Sequence, residues 1–566
     1  MFDLKDKVVL VTGGADGIGA SAVRAFLDEG IKHVTILDIS EQIGIAFEEE
    51  LNKKYGNKVL FITCDISQED QLLNAFKTVI KEQGYIDVII NNAGIFNDKI
   101  YARQIDINLT ALTRSTLQAW ELMRKDAGGR GGTVINISSI SAVINFNVAP
   151  AYSATKAAVL KFSTSLGDEP HYLRTGVRII TICFGVTITK LVERSGIHSF
   201  DRVIAEKTPV ALNKLNPQTA EQAARGLVEA YKEGNSGSVW WVSSGKPALD
   251  ITDKYKQSTE LFNEFLQSHT LLRTNLFIRL YDLILNKNSA NRAMYTLLDK
   301  VVIVTGGANG IGEAVVRDLM EQGTKFVAVL DVDAISGIAL EEELSNKHGR
   351  NKIKFFECDV TSEENLSNAY KTVIRDNGCI DLVVNNAAVD NEDYDSFKNL
   401  IEINYTAVVS STLKALQAMR TDEGGKGGTV INVSSIIALC QESPCLFVYA
   451  GSKSAILQFS NCIGRQEYFS KTGVRVITVC FGLTDTELPE KGKSFDIDIT
   501  RQMKALLQDF EKYGQKQSPK MASKGIIEAY QKGESGSTWL VNNNKVSNIT
   551  SKVNEAYGIL SNAMCE

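Results

Sequence analysis

Tyr152 and Lys156 stand four residues apart in a run that reads as helix, so their side chains leave the same face. A phenol titrates near 10 in water and is a poor base at neutral pH. An ammonium at its side, together with the positive ring of an oxidised nicotinamide, would stabilise the phenolate. Lowering the pKa by about three units corresponds to about 4 kcal/mol. Such a phenolate could take the proton of an alcohol while hydride leaves the carbinol carbon. Ser139, 13 residues before the tyrosine, ends a β-branched run and could hold the substrate oxygen. Asn108, on an earlier helical segment, could position a water that relays protons to Lys156. The same residue types return as Asn404, Ser435, Tyr449 and Lys453. A Tyr-x-x-x-Lys pair by itself is common on helix surfaces, so the reading depends on its surroundings.

Those surroundings look like a nucleotide site. The β-branched run Val8–Val11 leads into Thr12-Gly13-Gly14-Ala15-Asp16-Gly17-Ile18-Gly19 and then a helical segment. Glycines allow the tight turn and let the backbone approach a pyrophosphate, which the N-terminus of the following helix favours. Gly13, Gly17, Ile18 and Gly19 are therefore expected at a dinucleotide, as are Gly306, Gly310, Ile311 and Gly312 in the second occurrence of the pattern. Asp38 and Asp331 close the next strand, each 19 residues after the last glycine. A carboxylate there accepts hydrogen bonds from the adenosine ribose and repels a 2′-phosphate, so NAD is favoured over NADP. Asp65 and Asp359, after the third strand, are placed to meet the adenine edge.

The recurrence extends along the chain. KVVLVTGGADGIG at residues 7–19 returns as KVVIVTGGANGIG at 300–312, and TGVRIITICFG at 175–185 returns as TGVRVITVCFG at 472–482. The offset is 293 residues at the first motif and 297 at the last, too long a period for a solenoid. In the first copy the strand candidates are Val8–Val11, Val34–Leu37, Val59–Thr63, Val88–Ile90, Val134–Ile137, Val177–Ile182 and Val239–Val242, with helical spacing between most of them. Strict alternation predicts an α/β fold: two Rossmann-type, doubly wound parallel-sheet domains in tandem. The expected division is a first copy over 1–255, a helical linker over 256–296 and a second copy over 297–566. The linker carries Leu272, Leu276, Leu280 and Ile284 near helical spacing, and it reads either as helices docked on the domains or as an interfacial membrane helix.

Composition narrows the classes. With 566 residues, 44% hydrophobic and 23% charged, and a net charge of −6, the chain is globular and shows no basic patch for nucleic acid. No run of 18 uncharged apolar residues is present, so no membrane span is expected, and Met1-Phe2-Asp3-Leu4 opens without a signal-peptide pattern. Nine cysteines lack zinc spacing and read as buried thiols of a cytoplasmic protein; no metal is expected.

Taken in order, TGxxxGxG, Asn91-Asn92-Ala93-Gly94, Asn108, Ser139 and Tyr152-x-x-x-Lys156 resemble the short-chain dehydrogenase/reductase family, over both copies. Gly128-Gly129-Arg130-Gly131-Gly132 is similar to the branch of insect-type alcohol dehydrogenases and 15-hydroxyprostaglandin dehydrogenases. The resemblance implies an NAD-dependent oxidoreductase for an alcohol or its carbonyl partner. It implies that Lys156 also touches the nicotinamide ribose, that Asn92 and Asn386 belong to the cofactor site, and that Thr189 and Thr486 meet the carboxamide region. It also implies pairing of such domains, here as a pseudo-dimer within one chain or as a homo-oligomer. Two departures from the family pattern bear on the site. Ala388 replaces the glycine at position 94, and Phe184-Gly185 and Phe481-Gly482 replace a Pro-Gly beside the nicotinamide. Val143, Ile144 and Phe146 are expected to line an apolar substrate pocket in the first copy. Gln441, Glu442 and Cys445 would line a more polar one in the second, giving two sites of different preference. A nucleotide-bound structural or sensing protein and a membrane-surface scaffold are the competing classes.

Overall fold

Runs of β-branched residues buried on both faces become the central strands of a parallel sheet. The computed structural model describes residues 1–144, 146–193, 198–207, 215–271, 295–440, 445–512 and 516–563. Its strands in the first half are β1 (Val8–Thr12), β2 (His33–Asp38), β3 (Val59–Thr63), β4 (Val88–Asn91), β5 (Gly132–Ser139), β6 (Val177–Phe184), β7 (Val239–Val242) and β8 (Leu249–Asp250). Those in the second half are β9 (Val301–Thr305), β10 (Phe326–Asp331), β11 (Ile353–Glu357), β12 (Leu382–Asn385), β13 (Gly428–Ser435), β14 (Val474–Phe481), β15 (Thr538–Asn542) and β16 (Lys545–Asn548). Every position of β1, β4 and β6 is buried.

Two eight-stranded sheets result, with orders β3-β2-β1-β4-β5-β6-β7-β8 and β11-β10-β9-β12-β13-β14-β15-β16. The strands run parallel except at one edge. There β8 pairs antiparallel with β7, and β16 with β15, so each sheet is parallel but for one short edge strand. A two-residue strand such as β8 has no periodicity to read. Elsewhere the expected strands appear, mostly one or two residues longer.

Strand order reverses beside β1, whose neighbours are β2 and β4. The connections leave β1 and β4 toward opposite faces, and a crevice opens at their carboxyl ends. Side chains at alternate positions, Val9 and Val11, Val34 and Ile36, Val88 and Ile90, pack with Val23, Phe26 and Leu27 of the helix Gly17–Asp28. Val302, Val304, Val327 and Val329 do the same with Val315, Val316 and Leu319 of the helix Gly310–Glu321. These cores hold the glycine-rich turns rigidly at the crevice.

The chain separates into two compact units, Met1–Lys256 with Ile559–Glu566, and Gln257–Gly558. Within the expected linker, Thr252–Leu271 is helical; Leu272, Leu276, Leu280 and Ile284 lie outside the described residues. Among the described residues no helix is long and apolar enough to cross a membrane, and no cluster of three His, Cys, Asp or Glu could hold a metal ion.

Candidate active site

The glycine-rich turn of the first unit needs its glycines. Gly13 has φ +63°, and a side chain there would stand 2.7 Å from the Cα of Ala93. A side chain on Gly19 would run into the carbonyl of Gly13. Asn92 braces this turn from the end of β4, donating its amide to the carbonyls of Thr12 (3.1 Å) and Gly13 (2.9 Å). Asp38 ties in the other side: its carboxylate accepts the backbone amides of Ala15 (3.1 Å) and Ser40 (3.0 Å). Asn386 and Asp331 repeat both arrangements, on Thr305 and Gly306 and on Ala308 and Asp333.

A cavity of ≈ 370 Å³ opens over this turn. Its walls include Gly13, Gly17, Ile18, Asp38, Asp65, Asn92 and Thr189, and it runs on to Ser139, Tyr152 and Lys156. Gly19 lies against Asn92 and Asn108 holds Ile95, two residues of its wall. The cleft thus has glycine backbone, suited to a pyrophosphate, at one end and a Ser-Tyr-Lys cluster, suited to proton transfer, at the other. Asp16 and Lys190 form an ion pair of 2.6 Å at its rim, and Asp16 also caps the helix Gly17–Asp28. In the second unit Asn309 instead donates to Asp333 at 2.9 Å, so this rim pair belongs to the first unit.

Asp65 accepts hydrogen bonds from the amide and hydroxyl of Ser67 and an ion pair from Arg103 at 2.6 Å, so its carboxylate is already well occupied. These partners hold it below the usual carboxylate range, against the opposing effect of burial. Asp359 accepts from the amide and hydroxyl of Thr361.

Ser139 ends β5, whose eight residues pair in register with β6 from Gly132–Val177 to Ser139–Phe184. Tyr152 and Lys156 come from the helix Pro150–Leu166, which starts on a proline. Lys156 is 4% exposed; its Nζ donates to the carbonyl of Ile137 at 3.0 Å and lies 5.7 Å from the centre of the Tyr152 ring. In the second unit Lys453 donates to the carbonyl of Val433 (3.4 Å) and lies 5.5 Å from the Tyr449 ring, with Ser435 at the end of β13.

Burial dominates the electrostatics of the tyrosine and the lysine in both units. Burial pushes the Tyr152 hydroxyl up to about 12; a hydrogen bond with Ser139 pulls it down and the charge of Asp98 pushes it further up. Burial also drives Lys156 down to about 8. Tyr449 is raised and Lys453 is lowered to about 8 by burial in the same way. These directions are those of the protein without a nicotinamide ring, whose positive charge is part of the acidification expected from the sequence.

Asn108 lies on a π-helical segment, Asp106–Ala111, of the sort that often marks functional sites. Its amide nitrogen donates to the carbonyl of Ile95 and its oxygen accepts the Ile95 amide, both at 2.8 Å. Asn404 holds Val389 identically, at 2.8 and 2.9 Å. The side chain thus spends one donor and one acceptor on the Ile95 backbone.

The two family departures are accommodated. Gly94 has no left-handed φ, and a methyl there would sit 3.1 Å from Asn108 Oδ1, so Ala388 fits after a small shift. At the Phe-Gly turns, Gly185 donates to Val242 (2.9 Å) and Gly482 to Val541 (2.8 Å), backbone bonds that fix the turn without proline. Of the expected pocket residues, Phe146 lines the cavity, whereas Val143 and Ile144 join a hydrophobic cluster with Leu160 and Cys183. Gln441 and Glu442 lie outside the described residues, and Cys445 is buried.

Two positions escaped the sequence reading. Asp98, 1% exposed, accepts the amides of Ala151 (3.0 Å) and Tyr152 (2.9 Å) and so caps the helix that carries the tyrosine. Glu392, fully buried, accepts those of Phe447, Val448 and Tyr449 at 2.9–3.0 Å. The second position is Phe96, whose ring lies 4.5 Å from that of Tyr152. An acid recurring between the Asn-Asn-Ala motif and the lone asparagine of both copies was the available signal for the cap.

The family model for short chain dehydrogenase matches residues 7–198 and again 300–495. The chain belongs to the short chain dehydrogenase family. Among its relatives, 15-hydroxyprostaglandin dehydrogenase (NAD(+)) of Rattus norvegicus is 35% identical over 188 residues, 33% of this chain and 70% of the relative. Alcohol dehydrogenase 1 of Ceratitis cosyra is 32% identical over 243 residues, 42% of this chain and 92% of the relative. A solved short-chain type dehydrogenase/reductase from Mycobacterium marinum aligns with 43% of this chain and 96% of its own at 24% identity and a TM-score of 0.38. The short chain dehydrogenase pattern is thus carried twice in one polypeptide.

Proposed function

We propose that each unit is an NAD-dependent oxidoreductase that interconverts an alcohol and its carbonyl counterpart. The observation that carries this reading is the convergence, in one cleft, of the Asp38-braced glycine turn with Ser139, Tyr152 and Lys156. The repetition of these residues in the second unit supports two active sites.

NAD, when bound, supplies a hydride acceptor and a positive ring. Gly13, Gly17, Ile18, Gly19, Asp38, Asn92 and Thr189 would hold it in the first unit, and Gly306, Gly310, Ile311, Gly312, Asp331, Asn386 and Thr486 in the second. Asp38 and Asp331 favour NAD over NADP by repelling a 2′-phosphate. Ser139 orients the substrate oxygen, and Tyr152 takes the hydroxyl proton as the carbinol C–H bond breaks. Lys156 contributes its ammonium to a phenolate that burial otherwise disfavours, and Asn108 keeps the Ile95 backbone in place beside it. Phe96 and Phe146 make the first pocket apolar.

The test is absorbance of reduced cofactor on mixing the chain with NAD and a panel of secondary and primary alcohols. Tyr152→Phe and Tyr449→Phe are each expected to remove one set of activities. No turnover in the parent chain across the panel would sink the reading. Identical profiles for the two variants would sink the difference between sites.

A further inference from the structure

The cavity of the first unit continues past Asp38 to the end of β3, where Asp65 and Arg103 share its wall. In the sheet, β1, β2 and β3 are consecutive neighbours. Their carboxyl ends therefore offer, in spatial order, the glycine turn, Asp38 and Asp65. A dinucleotide with its pyrophosphate at the first and its ribose at the second has its base at the third. Ile39 lines the same stretch with 68% of its surface exposed, apolar area that a base would cover.

Asp65 has little freedom in how it can read that base. A carboxylate has about four lone-pair sites, shared between its oxygens. Oδ1 accepts both the amide (3.0 Å) and the hydroxyl (2.7 Å) of Ser67, which fills it. A base amine must then use Oδ2, and Arg103 Nη2 already stands 2.6 Å from that oxygen. Arg103 is held there by a second hydrogen bond, from Nη1 to the Ser67 hydroxyl at 2.6 Å, and by Asp106 at 3.6 Å. Any group that meets Oδ2 consequently lies beside a guanidinium with N–H donors left over. In the second unit the register set by Asn108 and Asn404 puts Asn399 at the position of Arg103. Asp359 accepts there from Thr361 and forms no ion pair among the described residues.

The far end of the first cleft thus pairs an acceptor with a donor. Adenine carries an amine at C6, which donates; hypoxanthine carries a carbonyl there, which accepts. Against a lone carboxylate that carbonyl sets oxygen against oxygen. Beside Arg103 it finds a charged donor instead. We propose that Arg103 is a cofactor-specificity residue that lets the first site take a 6-oxopurine dinucleotide as well as NAD. The inference deepens the reading of this cleft as a dinucleotide site and rests on it.

The test uses the full chain carrying Tyr449→Phe, so that turnover comes from the first site, with NAD and nicotinamide hypoxanthine dinucleotide as alternative cofactors. The preference for NAD, as a ratio of kcat/KM, is expected below about tenfold, and Arg103→Met is expected to enlarge it at least about tenfold, because a charged hydrogen bond is lost with the analogue alone. The Arg103 side chain is 40% exposed, so its replacement leaves the core intact. A starting preference above about tenfold, or one that Arg103→Met leaves unchanged or reduces, overturns the proposal. A reduction is what a residue that only supports Asp65 would give. Fluorescence titration with NADH and the reduced analogue, with and without Arg103→Met, reads binding apart from turnover. One class of sites should lose about tenfold in affinity for the analogue while keeping that for NADH. That result without turnover of any alcohol would leave the inference standing and remove the proposed activity. Binding of neither nucleotide would remove both, and analogue binding indifferent to Arg103→Met would overturn the inference alone.

Discussion

The carboxylate of Asp98 accepts the backbone amide of Tyr152 at 2.9 Å across 54 residues of sequence. A loop acid thereby caps the helix whose first turn carries the proposed base. Helix N-termini leave several N–H groups without intrahelical partners, and replacing a capping side chain by alanine costs about 1 kcal/mol. Asp98→Ala is expected to lower stability by about that amount and to lower kcat more than the KM for NAD, because the tyrosine rather than the nucleotide turn loses its support. Asp98→Asn keeps one acceptor and should recover part of both. Thermal melts beside steady-state kinetics check this; a normal kcat in Asp98→Ala would show that the cap does not position Tyr152.

Asp38 is held in place before any ligand arrives, by the amides of Ala15 and Ser40. Its orientation is therefore part of the fold, and the proposed preference against a 2′-phosphate should not depend on loop ordering. Asp38→Ala is expected to raise the NADP-to-NAD ratio of kcat/KM by at least about tenfold, close to 1.4 kcal/mol, at some cost in stability from the two lost bonds. Initial rates with both cofactors decide it. An unchanged ratio would mean that another group sets the preference.

Strand runs, glycine turns and the Asn-Ser-Tyr-Lys order were legible because each follows from a local rule: burial on both faces, positive φ, or spacing along a helix. The edge strand β8 was not, since Leu249–Asp250 is too short to show alternation. The π-segment around Asn108 was not, because one residue of slippage in hydrogen bonding leaves the apolar pattern almost unaltered. Asp98 reads as a solvated loop acid until the fold brings it under a helix. Phe96 reads as an ordinary loop residue until the fold sets its ring against Tyr152. The pocket residues Val143 and Ile144 were misassigned because an apolar loop can face a substrate or a core, and only packing decides.

The Ala388 departure leads to a prediction of near-neutrality. Neither Gly94 nor Ala388 occupies the left-handed region, and the nearest obstruction to a methyl is the tip of Asn108, 3.1 Å away. Gly94→Ala and Ala388→Gly are each expected to change kcat/KM at their own site by less than about threefold. Loss of more than about tenfold in Gly94→Ala would show that the cofactor needs the space a methyl fills, and would then count against activity in the second unit. Kinetics in the Tyr449→Phe and Tyr152→Phe backgrounds isolate the two sites.

Lys156 links function to a cost in stability. Its folded-state pKa, about 8, lies below the ordinary 10.5 because burial opposes the ammonium. The unfolded chain therefore binds the proton more tightly than the folded one. The resulting penalty is complete below pH 8, shrinks between about 8 and 10.5, and is absent above. A shift of this size corresponds to about 3 kcal/mol, against about 1 kcal/mol for leaving the Ile137 carbonyl without its donor. Lys156→Met should thus gain about 2 kcal/mol at pH 6.5, a rise of several degrees in Tm, and the gain should fade by pH 10. The same change should abolish turnover at the first site, since the phenolate loses the ammonium beside it. Melting curves at the two pH values test the stability half and NADH formation in the Tyr449→Phe background tests the other. A variant no more stable at pH 6.5 than its parent would mean that Lys156 is better solvated, or better paired, than its 4% exposure implies.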